Sequence, residues 1–308
     1  MNAIEIDSLI KTFGSVTALD HLCLSVAQGE IYGFLGPNGA GKTTTIRILS
    51  TLTRPTSGSV AVNGVDVLRD PVRAKHQIGI VHQSYNVDPE LTGTENLIIH
   101  GLLFDMPIHE TRRRIRELLE FVDLSEHIDR RVSTYSGGLK RRLTIARALL
   151  HKPRVIILDE PTAGLDAVAR RKVWSLIRNM RCEIGSTILV TTHYIEEAQQ
   201  LSDRVGILDR GKLIAEDTPA QLISRVGKVA VERDGSDGLD ISFFETREGA
   251  VQSIAQHPVN ARIRDTNLED VFINLTGRCE ALSEQAATDA GHAHIQGHNH
   301  SHGHGGNG

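Results

Sequence analysis

The sequence predicts an α/β protein, with a parallel β-sheet covered by helices on both faces. Two observations carry that prediction. Over the second half of the chain strands and helices alternate. Val155-Ile-Ile-Leu-Asp159 reads as a strand, about 167–181 as a helix, Thr187-Ile-Leu-Val190 as a strand, about 195–201 as a helix and Val205-Gly-Ile-Leu208 as a strand. Such alternation implies parallel strands joined by helical crossovers. In the first half, the apolar run Ile31-Tyr-Gly-Phe-Leu35 leads into a glycine-rich turn and then into Thr43-Thr-Thr-Ile-Arg-Ile-Leu49, a strand, turn and helix in succession.

Around that unit the chain reads as β-structure. Leu22-Cys-Leu-Ser-Val26 alternates apolar and polar residues, and Ser59 to Val67 reads as a hairpin turning at Asn63-Gly64. From about 84 to 150 the pattern becomes helical. Thr92-Gly-Thr-Glu95 is a capping box, in which hydroxyl and carboxylate each satisfy an exposed backbone N–H of the helix start. Ile115, Leu118, Leu119 and Val122 recur at helical spacing, beside Arg112, Arg113, Arg114 and Arg116, which read as a solvated face. Residues 221–278 form a small mixed extension with strands at Val229-Ala-Val231 and Ile241-Ser-Phe-Phe244 and a closing helix from Leu268 to Leu275. Residues 279–308, dominated at the end by Gly and His, have too few apolar side chains to build a core and read as a disordered tail. The predicted organisation is one domain over 1–220 with a helical subdomain at about 84–150, the extension at 221–278 and the tail.

Composition narrows the function classes. With 40% hydrophobic and 23% charged residues the chain is composed like a soluble globular protein. A net charge of −4 and an aromatic content of 4% argue against nucleic acid as a partner. No apolar run approaches the length of a membrane span. Glu5 and Asp7 stand where an export signal carries positive charge, and the three cysteines, Cys23, Cys182 and Cys279, are odd in number and far apart. Reduced thiols in a cytoplasmic protein are expected, so service to a membrane would pass through a partner.

Gly36-Pro-Asn-Gly-Ala-Gly-Lys-Thr43 matches G-x-x-x-x-G-K-[ST] at every position. A triphosphate demands this set. Glycines let backbone N–H groups curl around the phosphates, Lys42 supplies a mobile cation for the β- and γ-phosphates, and Thr43 offers a hydroxyl to magnesium. The following helix presents its N-terminus to the same anion. The candidate nucleotide-binding residues are therefore Gly36, Pro37, Asn38, Gly39, Ala40, Gly41, Lys42, Thr43 and Thr44.

Two further segments extend this site. The strand Val155 to Asp159 ends in paired acids, Asp159 and Glu160. Asp159 is placed to hold Mg2+ and Glu160 to take a proton from an attacking water. Tyr135-Ser-Gly-Gly138 opens another helix, and Ser136, Gly137 and Gly138 form a second anion reader. Because the first reader already holds its phosphates, a second one suggests a nucleotide shared between two chains.

Taken together, residues 1 to about 218 resemble the nucleotide-binding subunit of ABC transporters in motif order and spacing. The resemblance implies a P-loop NTPase (RecA-like) core with an N-terminal antiparallel β part, an inserted helical subdomain, a small α+β extension and the His-rich tail. It identifies Gly36 to Thr43 as Walker A, Val155 to Glu160 as Walker B and Tyr135 to Leu139 as the signature usually written L-S-G-G-Q, with Tyr135 and Leu139 departing from it. Asp166 takes the D-loop position. Gln83 takes the Q-loop position, touching magnesium and linking the site to a transmembrane partner, and His193 takes that of the switch histidine. Phe13 sits where the family often stacks an aromatic ring on adenine; it reads equally as a core residue. Asn267 to Thr276 resembles the C-terminal part of daunorubicin-resistance ATPases, which implies a separate permease of the ABC-2 exporter type. ATP and Mg2+ are the expected ligands. A homodimer or a dimer with a paralogue is the expected assembly, at the cytoplasmic face of the membrane. The alternatives are a soluble ABC ATPase uncoupled from transport and a metal-responsive one. Among the tail histidines, His292 to His304, adventitious transition-metal binding is the expectation.

Overall fold

The computed structural model describes residues 1–235, 238–256 and 260–277. The His-rich tail and Cys279 lie outside the described residues. Three sheets organise the described residues. The first is antiparallel, in the order β2-β1-β4-β5, from β1 (Asn2–Phe13), β2 (Val16–Ala27), β4 (Ser57–Val62) and β5 (Val65–Asp66). Its alternation is that of the sequence: Leu22, Leu24 and Val26 are buried while Cys23 and Ser25 face out. The hairpin turns where expected. Val62 pairs with Val65, and Asn63 and Gly64 both adopt positive φ, the turn that matches strand twist.

The second sheet runs β10-β9-β3-β8-β7-β6 and positions the site. It comprises β3 (Ile31–Leu35), β6 (Ile78–Val81), β7 (Val155–Asp159), β8 (Thr187–Thr192), β9 (Arg204–Asp209) and β10 (Lys212–Asp217). All pairs are parallel except the β9–β10 hairpin at Arg210-Gly211. Every residue of β3, β7 and β8 is buried, as expected of parallel strands covered on both faces. The cover comes from α1 (Lys42–Leu49), α2 (Pro71–Gln77), α5 (Gly137–Leu149), α6 (Ala167–Ile184) and α7 (Ile195–Leu201).

Between β6 and α5 lie α3 (Gly93–Leu103) and α4 (Ile108–Phe121). The capping box at Thr92 and Glu95 forms in both directions. Ile115, Leu118 and Leu119 face inward from α4, with Val122 capping it. Of the four arginines, Arg114 departs from a fully solvated face: its side chain is largely covered and pairs with Glu117 at 2.9 Å. The arginine stem is packed while its head seeks a carboxylate.

The extension holds α8 (Pro219–Ser224), β11 (Val229–Gly235), β12 (Gly238–Phe244), α9 (Arg247–Gln256), β13 (Ala261–Asp265) and α10 (Leu268–Thr276). Its sheet runs β12-β11-β13. The sequence had shown neither α9 nor β13; both are short and weakly periodic. α10 inserts Leu268, Val271 and Phe272 against Leu35, Val205 and Ile207 of the central sheet. Arg264 fastens this helix by a bidentate contact to the buried Asp270 at 2.6 and 2.8 Å, and by a third contact to Glu232. Among the described residues no helix is long and apolar enough to cross a membrane.

Candidate nucleotide site

In an open parallel sheet, ligands bind beyond the C-terminal ends of the strands. Here four neighbouring strands end together. Gly36 follows β3, Gln83 follows β6, Asp159 closes β7, and Thr192 and His193 follow from β8. They surround a cleft of about 550 Å3 lined by Phe13, Pro37, Asn38, Gly39, Gly41, Lys42, Thr43, Thr44, Gln83, Glu160 and His193. Gly36 and Ala40 are buried and do not line it.

The loop owes its path to two glycines. A Cβ on Gly36 would stand 2.4 Å from the Leu208 carbonyl oxygen. Gly41 has φ of 115° and a Cβ there would meet Leu19 and the Ala18 carbonyl oxygen below 3 Å. Gly41 is also the N-cap of α1 and brings no side-chain cap. The first N–H groups of α1 are thus left for an external acceptor. Lys42 is 5% exposed, and its ammonium donates to the carbonyls of Gly36 at 2.5 Å and Pro37 at 3.1 Å. Burial pushes its pKa down, against the pull of Glu160 and Asp159.

The two acids live in different surroundings. Asp159 accepts a 2.7 Å hydrogen bond from Thr191, its register partner on β8. Burial, with the neighbouring Glu160, raises its pKa despite that bond. Burial also pushes Glu160 upward, but the hydrogen bond and charge of His193 and the charge of Lys42 prevail, so its carboxyl titrates low. The His193 Nδ1 lies 3.1 Å from Glu160 Oε1. Glu160 holds φ of 47°, outside the usual range for a non-glycine residue, with its N–H donated to the Thr191 carbonyl.

Phe13 is 51% exposed at the rim of the cleft, with the Lys11 ammonium 4.7 Å from its ring centroid. It is a surface ring facing the cleft, so its core reading is set aside by position. Ser136, Gly137, Gly138 and Asp166 lie elsewhere. They line a second cleft of about 690 Å3 that shares no lining residue with the first. There Ser136 caps α5 and accepts the Leu139 N–H, while Asp166 caps α6 and accepts from Val168 and Ala169. The departure at Tyr135 has a local reason: its hydroxyl donates to the His127 carbonyl at 2.6 Å, a bond leucine could not make.

Reading the sequence missed two buried charges. Arg141, which stands between Lys140 and Arg142 and was not singled out from the sequence, holds the carbonyls of His82 and Gln83 with its guanidinium. Glu197, beside Glu196 and likewise not singled out, is 0% exposed and accepts from Thr162 at 2.9 Å and Trp174 at 3.0 Å. Its neighbours Ala198 and Leu201 on the inward face of α7 were the available signal.

Comparison with known proteins agrees with this geometry. Residues 19–163 match the ABC transporter family. The Nod factor export ATP-binding protein I of Paraburkholderia xenovorans is 41% identical over 297 residues, covering 90% of this chain and 97% of that protein. The chain belongs to the ATP-binding subunits of ABC transporters. A daunorubicin resistance ATP-binding protein of Streptomyces coeruleorubidus is also 41% identical, covering 91% of this chain and 86% of that one. Among solved structures, a dimeric ATP-binding cassette in a post-hydrolysis state with ADP and Pi superposes with a TM-score of 0.63 at 29% identity, covering 70% of this chain and 98% of that one. The expected P-loop NTPase core and ATPase activity hold for this ABC subunit. Its residues also fit a nucleotide phosphate with a divalent cation: an uncapped helix start, a buried lysine and the Glu160 carboxylate converge on one cleft, with Asp159 next in sequence at the buried end of β7.

Proposed function

We propose that the chain is the ATP-hydrolysing motor of an exporter for drug-like, antibiotic or lipid-like molecules, driving a separate permease of the ABC-2 type from the cytoplasmic face of the membrane. The observation that carries the reading is the division of the site into two clefts on one chain. One holds a phosphate loop without a signature, the other a signature without a phosphate loop. A second copy, or a paralogue, turned head to tail sets one chain's Ser136, Gly137 and Gly138 over the other's P-loop, with Asp166 at the seam. Export-related names among the relatives support the direction of transport.

The residues divide the work within each completed site. The loop from Gly36 to Thr44 cradles the triphosphate, and Lys42 exchanges its two carbonyl contacts for phosphate oxygens. Phe13 offers its exposed ring to the adenine. Thr43, Asp159 and Gln83 would hold Mg2+, which supplies charge compensation to the phosphates when bound. Glu160, ionised at neutral pH, accepts the proton of the attacking water. His193 fixes the Glu160 carboxylate and faces the γ-phosphate position. The ATPase domain at 1–220 and the extension at 221–278 belong to this reading.

Purification of the tagged chain from membranes in mild detergent tests it. A polytopic membrane protein in stoichiometric amount, whose presence raises the ATPase rate, is expected. Recovery of the chain from the soluble fraction alone, or together with RNA, contradicts the reading.

A further inference from the structure

Among the described residues Arg141 is the largest side chain that the fold buries almost completely, at 1% exposed. A guanidinium taken from water needs its donors met, and among the described residues no carboxylate pairs with it. Two of its three nitrogens donate to consecutive backbone carbonyls, Nη1 to His82 at 2.7 Å and Nη2 to Gln83 at 3.1 Å, and the buried Nε makes no hydrogen bond within the protein. The planar fork spans both and so fixes the orientation of the peptide between them. Its face lies 5.1 Å from the centroid of the Tyr85 ring. Gly137, one helical turn before Arg141, lies on the same face of α5. A Cβ on Gly137 would stand 3.2 Å from the Tyr85 hydroxyl. The segment from His82 to Tyr85 is therefore seated on the opening turns of α5.

That seat joins two clefts that have no lining residue in common. Gln83 lines the P-loop cleft, whereas Ser136, Gly137 and Gly138 at the start of α5 line the other. We propose that Arg141 is a positioning residue that couples the two half-sites of one chain, making Gln83 follow the N-terminus of α5. When a second copy closes on Ser136, Gly137 and Gly138, the shift of α5 carries Gln83 into place in the same chain's P-loop cleft. The proposal rests on the two-copy reading above. Neither Lys42 nor the loop from Gly36 to Gly41 donates to or accepts from Arg141, so nucleotide capture by a lone chain is independent of it.

Two variants of the full chain test this, Arg141→Lys and Tyr85→Leu. Lysine has a single donor head and cannot bridge both carbonyls; Tyr85 is only partly buried in a loop, so its replacement leaves the fold intact should Arg141→Lys misfold. For each, the Mg-ATP dissociation constant and steady-state kcat are measured. Amide exchange at 82–85 is followed in the Glu160→Gln background, where closure is trapped. The expected result is a Kd within about twofold of the parent, kcat lowered about tenfold or more, and loss of the protection that closure gives residues 82–85. A parental kcat, a Kd that worsens in step with kcat, or retained protection overturns the coupling. If the Glu160→Gln parent itself stays monomeric in Mg-ATP, the two-copy reading falls and the coupling falls with it.

Discussion

The His193 Nδ1 approaches Glu160 Oε1 to 3.1 Å, and both side chains are about nine-tenths buried. The pair arises from adjacent parallel strands, since β7 and β8 place Asp159 opposite Thr191 and so bring the residues that follow side by side. Burial alone would raise the Glu160 pKa; the imidazole and Lys42 reverse that. Glu160 is thereby a carboxylate at neutral pH, ready to accept a proton.

Replacing His193 with alanine removes the strongest opponent of that burial. The Glu160 pKa rises, so the acid limb of the kcat profile moves to higher pH and activity at neutral pH falls. Glu160→Gln lowers kcat by about a hundredfold or more, the usual contribution of a general base. The two losses are not additive, because each variant disables the same pair. Rates of the single and double variants from about pH 4 to 9, a span that reaches the parent's low acid limb, check this, and an unmoved acid limb in His193→Ala contradicts the assigned link.

Lys42→Ala should weaken ATP binding by about 1.5–3 kcal/mol, roughly ten- to a hundredfold in Kd, the worth of a charge-assisted contact in a buried site. Equilibrium titration with a fluorescent ATP analogue measures it. An unchanged Kd would remove Lys42 from phosphate recognition.

Glu197 is a test of stability rather than chemistry. Glu197→Ala strands the Thr162 hydroxyl and the Trp174 indole N–H in a dry interior and should cost about 2 kcal/mol or more. Burial raises the Glu197 pKa, so the neutral amide of Glu197→Gln keeps an acceptor for both donors and should cost under about 1 kcal/mol. Thermal denaturation separates the two, since each kcal/mol shifts Tm by roughly 2–4 °C in a chain of this size.

His100 and His151 flank the Phe104 ring, and burial pushes their pKa values to about 3 and about 4. In the unfolded chain each titrates near 6.5. The unfolded state therefore binds more protons between those limits, and stability is lost as pH falls from about 6.5 toward 4, with none of this loss above about 7. Urea midpoints from pH 4.5 to 7.5 should show that slope, and His100→Gln should flatten it. An equal slope in the variant contradicts the assignment.

The central sheet was legible in the sequence because buried parallel strands are short, apolar and bounded by turn residues. Ile31–Leu35 and Val155–Asp159 form strands as read, and β8 runs two residues further than Val190, through the threonines that lead to His193. The phosphate loop was legible because the demand for glycine at Gly36 and Gly41 is steric and local. Arg141 and Glu197 were not, because a charge in a helix looks solvated until tertiary packing closes over it. β13 and α9 were missed for want of a clear period.

The central claim is that each catalytic pocket needs both chains. Sedimentation equilibrium of the Glu160→Gln variant with and without saturating Mg-ATP tests it most directly. The account predicts a monomer without nucleotide and a dimer with two ATP molecules when Mg-ATP is present, reverting to monomer when Ser136→Arg is added. A strictly monomeric Glu160→Gln variant in saturating Mg-ATP, or a dimer indifferent to Ser136→Arg, contradicts it.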